Sequence, residues 1–267
     1  MTKEKALTVN DFQRLKNEGI PITALTAYDA VMATLLDNAG VDMILVGDSL
    51  ANVFQGRETT LPVTVEEMIY HAEIVARSVK RAFVVVDMPF MSFQVNPEEA
   101  LINAGTMMKK TGCKAVKLEG GVTVKETIHC IVQAGIPVLG HIGLIPQSVH
   151  VFGGYGVRGK ENSQAIIEGA LAVQEAGAFA VVIEKIPRTL AAEITQNLAI
   201  PTIGIGAGPD CSGQILVTND VLGLNPHFKP KFVRRYDELA ERIISGIKAY
   251  NDDVRSRRFP SLDESYE

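Results

Sequence analysis

The chain has 267 residues, 46% hydrophobic and 21% charged, which suits a globular domain with a full core and excludes a disordered chain. Its 26 basic and 31 acidic side chains leave a formal net charge of -5, which argues against a nucleic-acid binder held by phosphate neutralisation. Cys113, Cys130 and Cys211 are too few and too scattered for a disulfide framework or a thiolate zinc site. With no run of about 18 apolar residues and no signal-like start, the sequence predicts a soluble, reduced, cytoplasmic protein with no membrane partner.

In chain order, a short helix is expected at 9–16, within an N-terminal segment 1–20. Short apolar, β-branched runs then recur at 22–26, 43–46, 83–86, 115–118, 138–140, 180–183, 202–205 and 215–217. Continuous apolar runs of this length suit parallel strands covered on both faces. Between them lie amphipathic stretches. Thr64 with Glu67 three positions on forms a capping box for a helix at 65–79, striped by Val65, Met68, Ile69, Ala72, Val75, Ala76 and Val79. Asn96 and Pro97 open the next helix and Gly112 closes it. Further helices are expected at 123–134, 163–176 and 188–198. A last helix is expected to carry Phe232, Tyr236, Leu239, Ile243, Ile247 and Tyr250 on one face, before a polar, weakly ordered tail at 252–267. The glycine-rich stretch 140–162 reads as a long loop, a flap over the site.

About eight β-α units predict an α/β fold, a (β/α)8 TIM barrel forming a single domain over 1–267. The doubly wound rival wants GxGxxG after the first strand, where Thr26-Ala27-Tyr28-Asp29 stands instead.

Polar residues collect at the carboxyl ends of the predicted strands, which share one face of a parallel barrel. They are Asp48 and Ser49, Asp87, Lys117 and Glu119, His141 and Glu184. Asp48, Asp87 and Glu119 together would repel one another unless a cation joined them, and an oxygen-only donor set favours Mg2+ over zinc. Singly, each is as well read as a helix cap or a lysine partner. Lys117 is open to two readings, a grip on a substrate carboxylate (or a Schiff base) and a structural ion pair. Ser49 either bonds substrate or caps a turn. His141 stands at a strand end between Gly140 and Ile142-Gly143, whereas His71, His129, His150 and His227 have no such placement. Glu184, after an apolar strand, is a candidate general base, against a salt bridge to Lys185. Gly204-Ile205-Gly206-Ala207-Gly208 is either a phosphate cradle or a tight turn.

Several strings, in order, resemble the ketopantoate hydroxymethyltransferase family. They are Val46-Gly47-Asp48-Ser49, Leu61-Pro62-Val63-Thr64, Asp87-Met88-Pro89-Phe90-Met91, Val116-Lys117-Leu118-Glu119-Gly120-Gly121, Gly140-His141-Ile142-Gly143-Leu144 and Val151-Phe152-Gly153-Gly154-Tyr155. The run 204–208 and Gly213-Gln214-Ile215-Leu216-Val217 extend the likeness, while Ser212 stands where that pattern often has Asp. The resemblance implies a (β/α)8 barrel that assembles as a homodecamer and acts in pantothenate biosynthesis. It implies transfer of a hydroxymethyl group from 5,10-methylenetetrahydrofolate to 3-methyl-2-oxobutanoate. It further implies Mg2+ at Asp48, Asp87 and Glu119, oxoacid contacts at Asp48, Ser49, Asp87 and Lys117, a general base at Glu184, and His141 near the new hydroxymethyl group.

Two other readings stand beside it. One is a Mg2+-dependent 2-oxoacid lyase or mutase of a barrel family resembling isocitrate lyase. Such lyases tend to carry a cysteine in the loop after the fourth strand, and this chain has Glu119-Gly120-Gly121-Val122 there. The other is a non-catalytic oxoacid or folate binder, which would be expected to lack the base or a metal ligand. Fold alone does not separate the three.

Overall fold

The computed structural model describes residues 5–154 and 156–267. Eight parallel strands close in chain order into a barrel: β1 (Ile22–Thr26), β2 (Met43–Val46), β3 (Phe83–Asp87), β4 (Ala115–Glu119), β5 (Val138–Gly143), β6 (Ala180–Glu184), β7 (Thr202–Ile205) and β8 (Gly213–Leu216). The last strand pairs with the first, Ile22 opposite Gly213. The expected α/β barrel is therefore the fold.

Side chains alternate along each strand, and the two faces build two cores. Ile22, Ala24, Met43, Leu45, Phe83, Val85, Ala115, Leu139, Ala180, Val182, Ile203 and Ile215 fill the barrel interior. The opposite set, including Ile44, Val46, Val84, Val86, Val116, Leu118, Val181 and Ile183, packs against the surrounding helices. These are α2 (Ala30–Asn38), α4 (Val65–Ser78), α5 (Pro97–Thr111), α6 (Lys125–Gln133), α8 (Ser163–Glu175) and α9 (Arg188–Asn197), with the short turns α3 (Leu50–Val53) and α7 (Val149–Phe152) inside loops. The helix α1 (Val9–Asn17) closes the amino-terminal mouth. Its Phe12 packs edge-on to Phe83, ring centroids 5.1 Å apart, and lies 5.8 Å from Phe179.

The helix signals act as expected. Thr64 and Glu67 form the reciprocal cap of α4, Asn96 caps α5 ahead of Pro97, and Gly112 ends α5 in the left-handed conformation. Strand ends differ from the sequence reading. β3, β4, β5 and β6 each run on through their first polar residues, because ladder bonding continues after the apolar signal stops. The stretch expected as one long flap begins as strand up to Gly143, then forms a 3-10 turn at Pro146–Ser148 and the turn α7. Backbone bonding through β5 to Glu184 on β6 is what shortens it.

The chain divides into two compact units, Met1–Leu216, which holds the barrel, and Val217–Glu267. In the first, Thr23 on β1 and Gln214 on β8 are exposed on alternate positions, whereas β2, β3 and β4 are buried on both faces. In the second, α10 (Thr218–Val221) precedes α11 (Leu239–Arg255), which has no buried residue. Phe232 and Tyr236 lie before this helix rather than on it. The helix itself runs past the expected tail boundary at 252, because Val254 extends the stripe of Ile247 and Tyr250 by one more turn.

Candidate active site

The barrel interior changes character along its length. Residues that share the inward parity of the apolar floor become polar at the carboxyl end: Phe83, Val85, then Asp87; Ala115, then Lys117 and Glu119; Leu139, then His141; Ala180, Val182, then Glu184. Strand register sets neighbours, with Asp87 level with Lys117 and Glu119 level with His141. Asp48 follows β2 directly, and its backbone N–H donates to Asp87 Oδ2 at 3.0 Å.

The result is one connected run of ionisable groups. Lys117 Nζ lies 2.7 Å from Asp87 Oδ1 and 3.8 Å from Glu119 Oε1. His141 Nδ1 lies 3.2 Å from Glu119 Oε1, and its Nε2 lies 3.3 Å from Glu184 Oε2. These two approaches are close but off-line, so neither ring nitrogen makes a linear hydrogen bond. Asp48, Asp87, Lys117, Glu119 and His141 are all buried, while Glu184 is partly open to the mouth. Glu184 faces His141 in place of the apolar surroundings expected for it. The structure thus brings all the sequence-predicted polar residues together, with Ser49 at the edge, its Oγ 2.9 Å from the Tyr28 hydroxyl.

Burial and crowding set the charges. Burial, then the carboxylates of Asp87 and Glu119, push Asp48 up to about 8. Burial also raises Asp87 despite Lys117 beside it. For Glu119, burial is outweighed by the close His141 ring and by Lys117, and it is lowered. His141 is opposed by burial and by Lys117, yet Glu119 and Glu184 carry it up to about 9. At neutral pH the site therefore holds Lys117 and a protonated His141 against Glu119, with Asp48 carrying a proton and Asp87 pushed toward its neutral form.

Gly143 starts the loop that covers this run. Its φ is +91°, and a side chain there would strike the Glu184 carbonyl, which Leu144 N–H reaches at 2.9 Å. Sequence reasoning missed Gln147 and Tyr28. Gln147, buried within this loop, bonds to Asp48 and Glu119 across 99 and 28 residues of chain, a relation no local pattern carries. Tyr28 follows β1 with nothing to mark its hydroxyl partner. His71, given no role, donates its Nδ1–H to the Tyr28 carbonyl oxygen, 2.7 Å away. The run 204–208 turns β7 toward β8, with Gln214 Nε2 donating to Gly208 O at 2.9 Å.

A mouth of this kind serves many chemistries, and comparison with known proteins decides among them. The family described as ketopantoate hydroxymethyltransferase matches residues 6–262. The chain belongs to the ketopantoate hydroxymethyltransferase family. A 3-methyl-2-oxobutanoate hydroxymethyltransferase of Chlorobium luteolum is 54% identical, covering 99% of this chain and 98% of that protein. The protein of the same name from Chlorobaculum tepidum is 56% identical, over 94% and 93%. Among solved structures, phosphonopyruvate hydrolase complexed with oxalate and Mg++ aligns with a TM-score of 0.62 at 14% identity, covering 97% of this chain and 93% of that one. A 2,3-dimethylmalate lyase described as a PEP mutase/isocitrate lyase superfamily member aligns at 0.59 and 16% identity, over 97% and 91%. At such identities these two share the fold alone. The lyase reading thus survives as a shared barrel, while sequence places the chain among the hydroxymethyltransferases.

The donor set of this family member fits a hard divalent cation. The candidate donors Asp48, Asp87 and Glu119 are all oxygen ligands, they are buried, and their mutual repulsion is expressed in the raised Asp48. Among the described residues no three of His, Cys, Asp and Glu are grouped so that they could hold a metal ion as they stand, so the fit rests on the chemistry of the donors. Lys117 stands between two of the carboxylates instead.

A pH dependence follows for the cation-free chain. Between its unfolded value near 4 and about 8, folded Asp48 keeps a proton the unfolded chain has lost; His141 does the same between 6.5 and about 9. Each folded pKa is the higher one, so both contributions decline as pH rises, at up to about 1.4 kcal/mol per pH unit per proton. In EDTA, the thermal midpoint should fall from pH 6 to pH 9 by on the order of 3 °C per unit. Asp48→Asn, with no proton to lose, should fall less steeply. A midpoint that is flat or rises over this range would contradict the charge assignment.

Proposed function

We propose that the chain catalyses the reaction its family is named for. It transfers a hydroxymethyl group from 5,10-methylenetetrahydrofolate to 3-methyl-2-oxobutanoate, giving ketopantoate for pantothenate synthesis. The observation that carries this reading is the unbroken run from Asp48 to Glu184 at the barrel mouth of a chain over half identical to such enzymes.

Asp48, Asp87 and Glu119 would hold Mg2+. When bound there, Mg2+ supplies Lewis acidity to the carboxylate and keto oxygens of a 2-oxoacid, which lowers the cost of enolisation. Glu184 takes the C3 proton. Lys117 and Ser49 fix the oxoacid, Ser49 itself oriented by Tyr28. The reaction consumes one water, whose oxygen becomes the hydroxyl of the transferred group as the methylene carbon leaves the folate nitrogens. Protonated His141, between Glu119 and Glu184, lies where it can donate to that oxygen. The loop after β5 lies over the site through Gln147 and limits bulk solvent there.

The test is proton exchange at C3 of 3-methyl-2-oxobutanoate in D2O, followed by NMR. With Mg2+ the protein should wash deuterium into C3, with EDTA the rate should fall by about 100-fold or more, and added 5,10-methylenetetrahydrofolate should give ketopantoate. No exchange and no product with both Mg2+ and the folate present would reject the assignment.

We also propose that the chain works as a homo-oligomer, with a decamer expected from the family. The exposed alternate positions of β1 and β8, and the exposed Ile243, Ile244, Ile247, Tyr250 and Val254 of α11, are surfaces that other copies would cover. Sedimentation equilibrium should give a multiple of 28.9 kDa, and a monomer at micromolar concentration would exclude it. The three cysteines are free, which fits a reducing, cytoplasmic setting.

A further inference from the structure

Gln147 sits in the 3-10 turn Pro146–Ser148, buried at 5% exposure in a loop that otherwise runs over the barrel mouth. It makes four hydrogen bonds. Its backbone N–H donates to Glu119 Oε2 at 2.9 Å. Its side-chain nitrogen donates to Asp48 Oδ2 at 2.9 Å and to Met88 O at 3.0 Å. Its side-chain oxygen accepts from Gln94 Nε2 at 2.9 Å. The Met88 carbonyl oxygen can only accept, so the amide nitrogen must face it, and the amide has one orientation.

This is more than a loop needs to stay down. A fastening to Met88 O and Gln94 alone would hold the turn. Two further bonds end on buried carboxylates from different strands. Each takes one oxygen of a carboxylate and leaves the other: Asp48 keeps Oδ1, and Glu119 keeps Oε1 toward Lys117 and His141. A carboxylate pinned through one oxygen cannot rotate freely, so the direction of its second oxygen is set before any cation arrives. Partners of this kind are what orient metal-ligating side chains, and their loss typically weakens metal affinity by about 10- to 100-fold.

We propose that Gln147 is a positioning residue for divalent-cation binding: from the loop after β5 it aims the carboxylates of Asp48 and Glu119. The proposal rests on the reading of Asp48, Asp87 and Glu119 as the cation site.

The experiment is Mn2+ binding to the full chain, read from the loss of the free-ion EPR signal, for wild type, Gln147→Met and Gln94→Leu. Gln147→Met keeps the length of the side chain and removes its amide. Its Mn2+ dissociation constant should rise by about 10- to 100-fold while circular dichroism stays native. Gln94→Leu, at an exposed residue, frees the Gln147 oxygen and removes the long bond that Gln94 Oε1 accepts from Phe93 N–H, and should raise the constant by a few-fold, about 2 to 5. If Gln147 merely anchors the loop, Gln147→Met lowers the melting temperature and leaves Mn2+ affinity unchanged, and that overturns the proposal. Should Gln147→Met fail to fold, Gln94→Leu decides in the same way: weaker Mn2+ binding supports the proposal and unchanged binding overturns it. Wild type that binds no Mn2+ defeats the cation reading itself, so the two failures are told apart by the wild-type arm.

Discussion

Glu184→Gln is expected to slow C3 exchange and ketopantoate formation by about 100- to 10,000-fold, the usual contribution of a general base. The choice of Glu184 over His141 comes from the charge state of the pair. His141 is buried between Glu119 and Glu184, which carry its pKa to about 9, so at neutral pH its ring already holds the proton and has no lone pair to offer. Glu184 is the partly open member, 13% exposed at its side chain, so substrate can reach it. Glutamine keeps the length of the side chain and a polar group facing His141 Nε2, and loses the ability to accept a proton together with one of the two charges that raise His141. Binding of the oxoacid, followed by calorimetry with Mg2+ present, should change by no more than a few-fold, about 3. The melting temperature should stay within about 2 °C of wild type, since no side chain is shortened and Glu119 still faces the His141 ring. Exchange within tenfold of wild type would move the base elsewhere, and His141→Gln would be the next variant.

How much of this was legible beforehand follows from the range of each signal. Strand parity is a period of two and is written locally, so the barrel and the inward aim of Asp87, Lys117, Glu119, His141 and Glu184 follow from the chain itself. Asp48 and Ser49 were found by position and not by parity, as the first polar residues past β2. The strand ends were not, because inward polar residues continue a ladder whose apolar signature has already stopped. Gln147 was invisible, since its bonds reach Asp48 and Met88 across 99 and 59 residues. The surroundings of Glu184 were misjudged for a related reason: Val181, Val182 and Ile183 say nothing of His141 on the neighbouring strand. Helix α11 shows a further limit, since its stripe of Ile243, Ile247 and Tyr250 announces a helix with an apolar face and not what covers that face.

Lys117→Met should cost the cation-free chain about 3–5 kcal/mol, as expected when one member of a buried ion pair is removed and the other is left behind. Lys117 is 4% exposed, and its ammonium is the only lysine charge within reach of the buried trio among the described ion pairs. Burial works against that charge, and Asp87, Glu119 and Asp48 together outweigh it, so the lysine stays protonated throughout the range in which the protein folds. Methionine fills the space without the charge, so the loss reflects electrostatics and not a cavity. Asp87, already raised by burial, would lose the lysine that opposes that rise and be pushed further toward its protonated form, which makes the cost depend on pH. It should be largest near pH 8, where proton uptake is hardest, and shrink toward pH 5. Urea unfolding in EDTA at the two values measures this directly. Saturating Mg2+ should recover part of the stability, because a divalent cation supplies the missing positive charge, yet turnover should stay at least about 100-fold down, since the grip on the substrate carboxylate is gone. A variant within 1 kcal/mol (about one weak surface pair) of wild type at pH 8 would mean that the three carboxylates do not need this lysine, and the charge balance drawn for the site would have to be rebuilt.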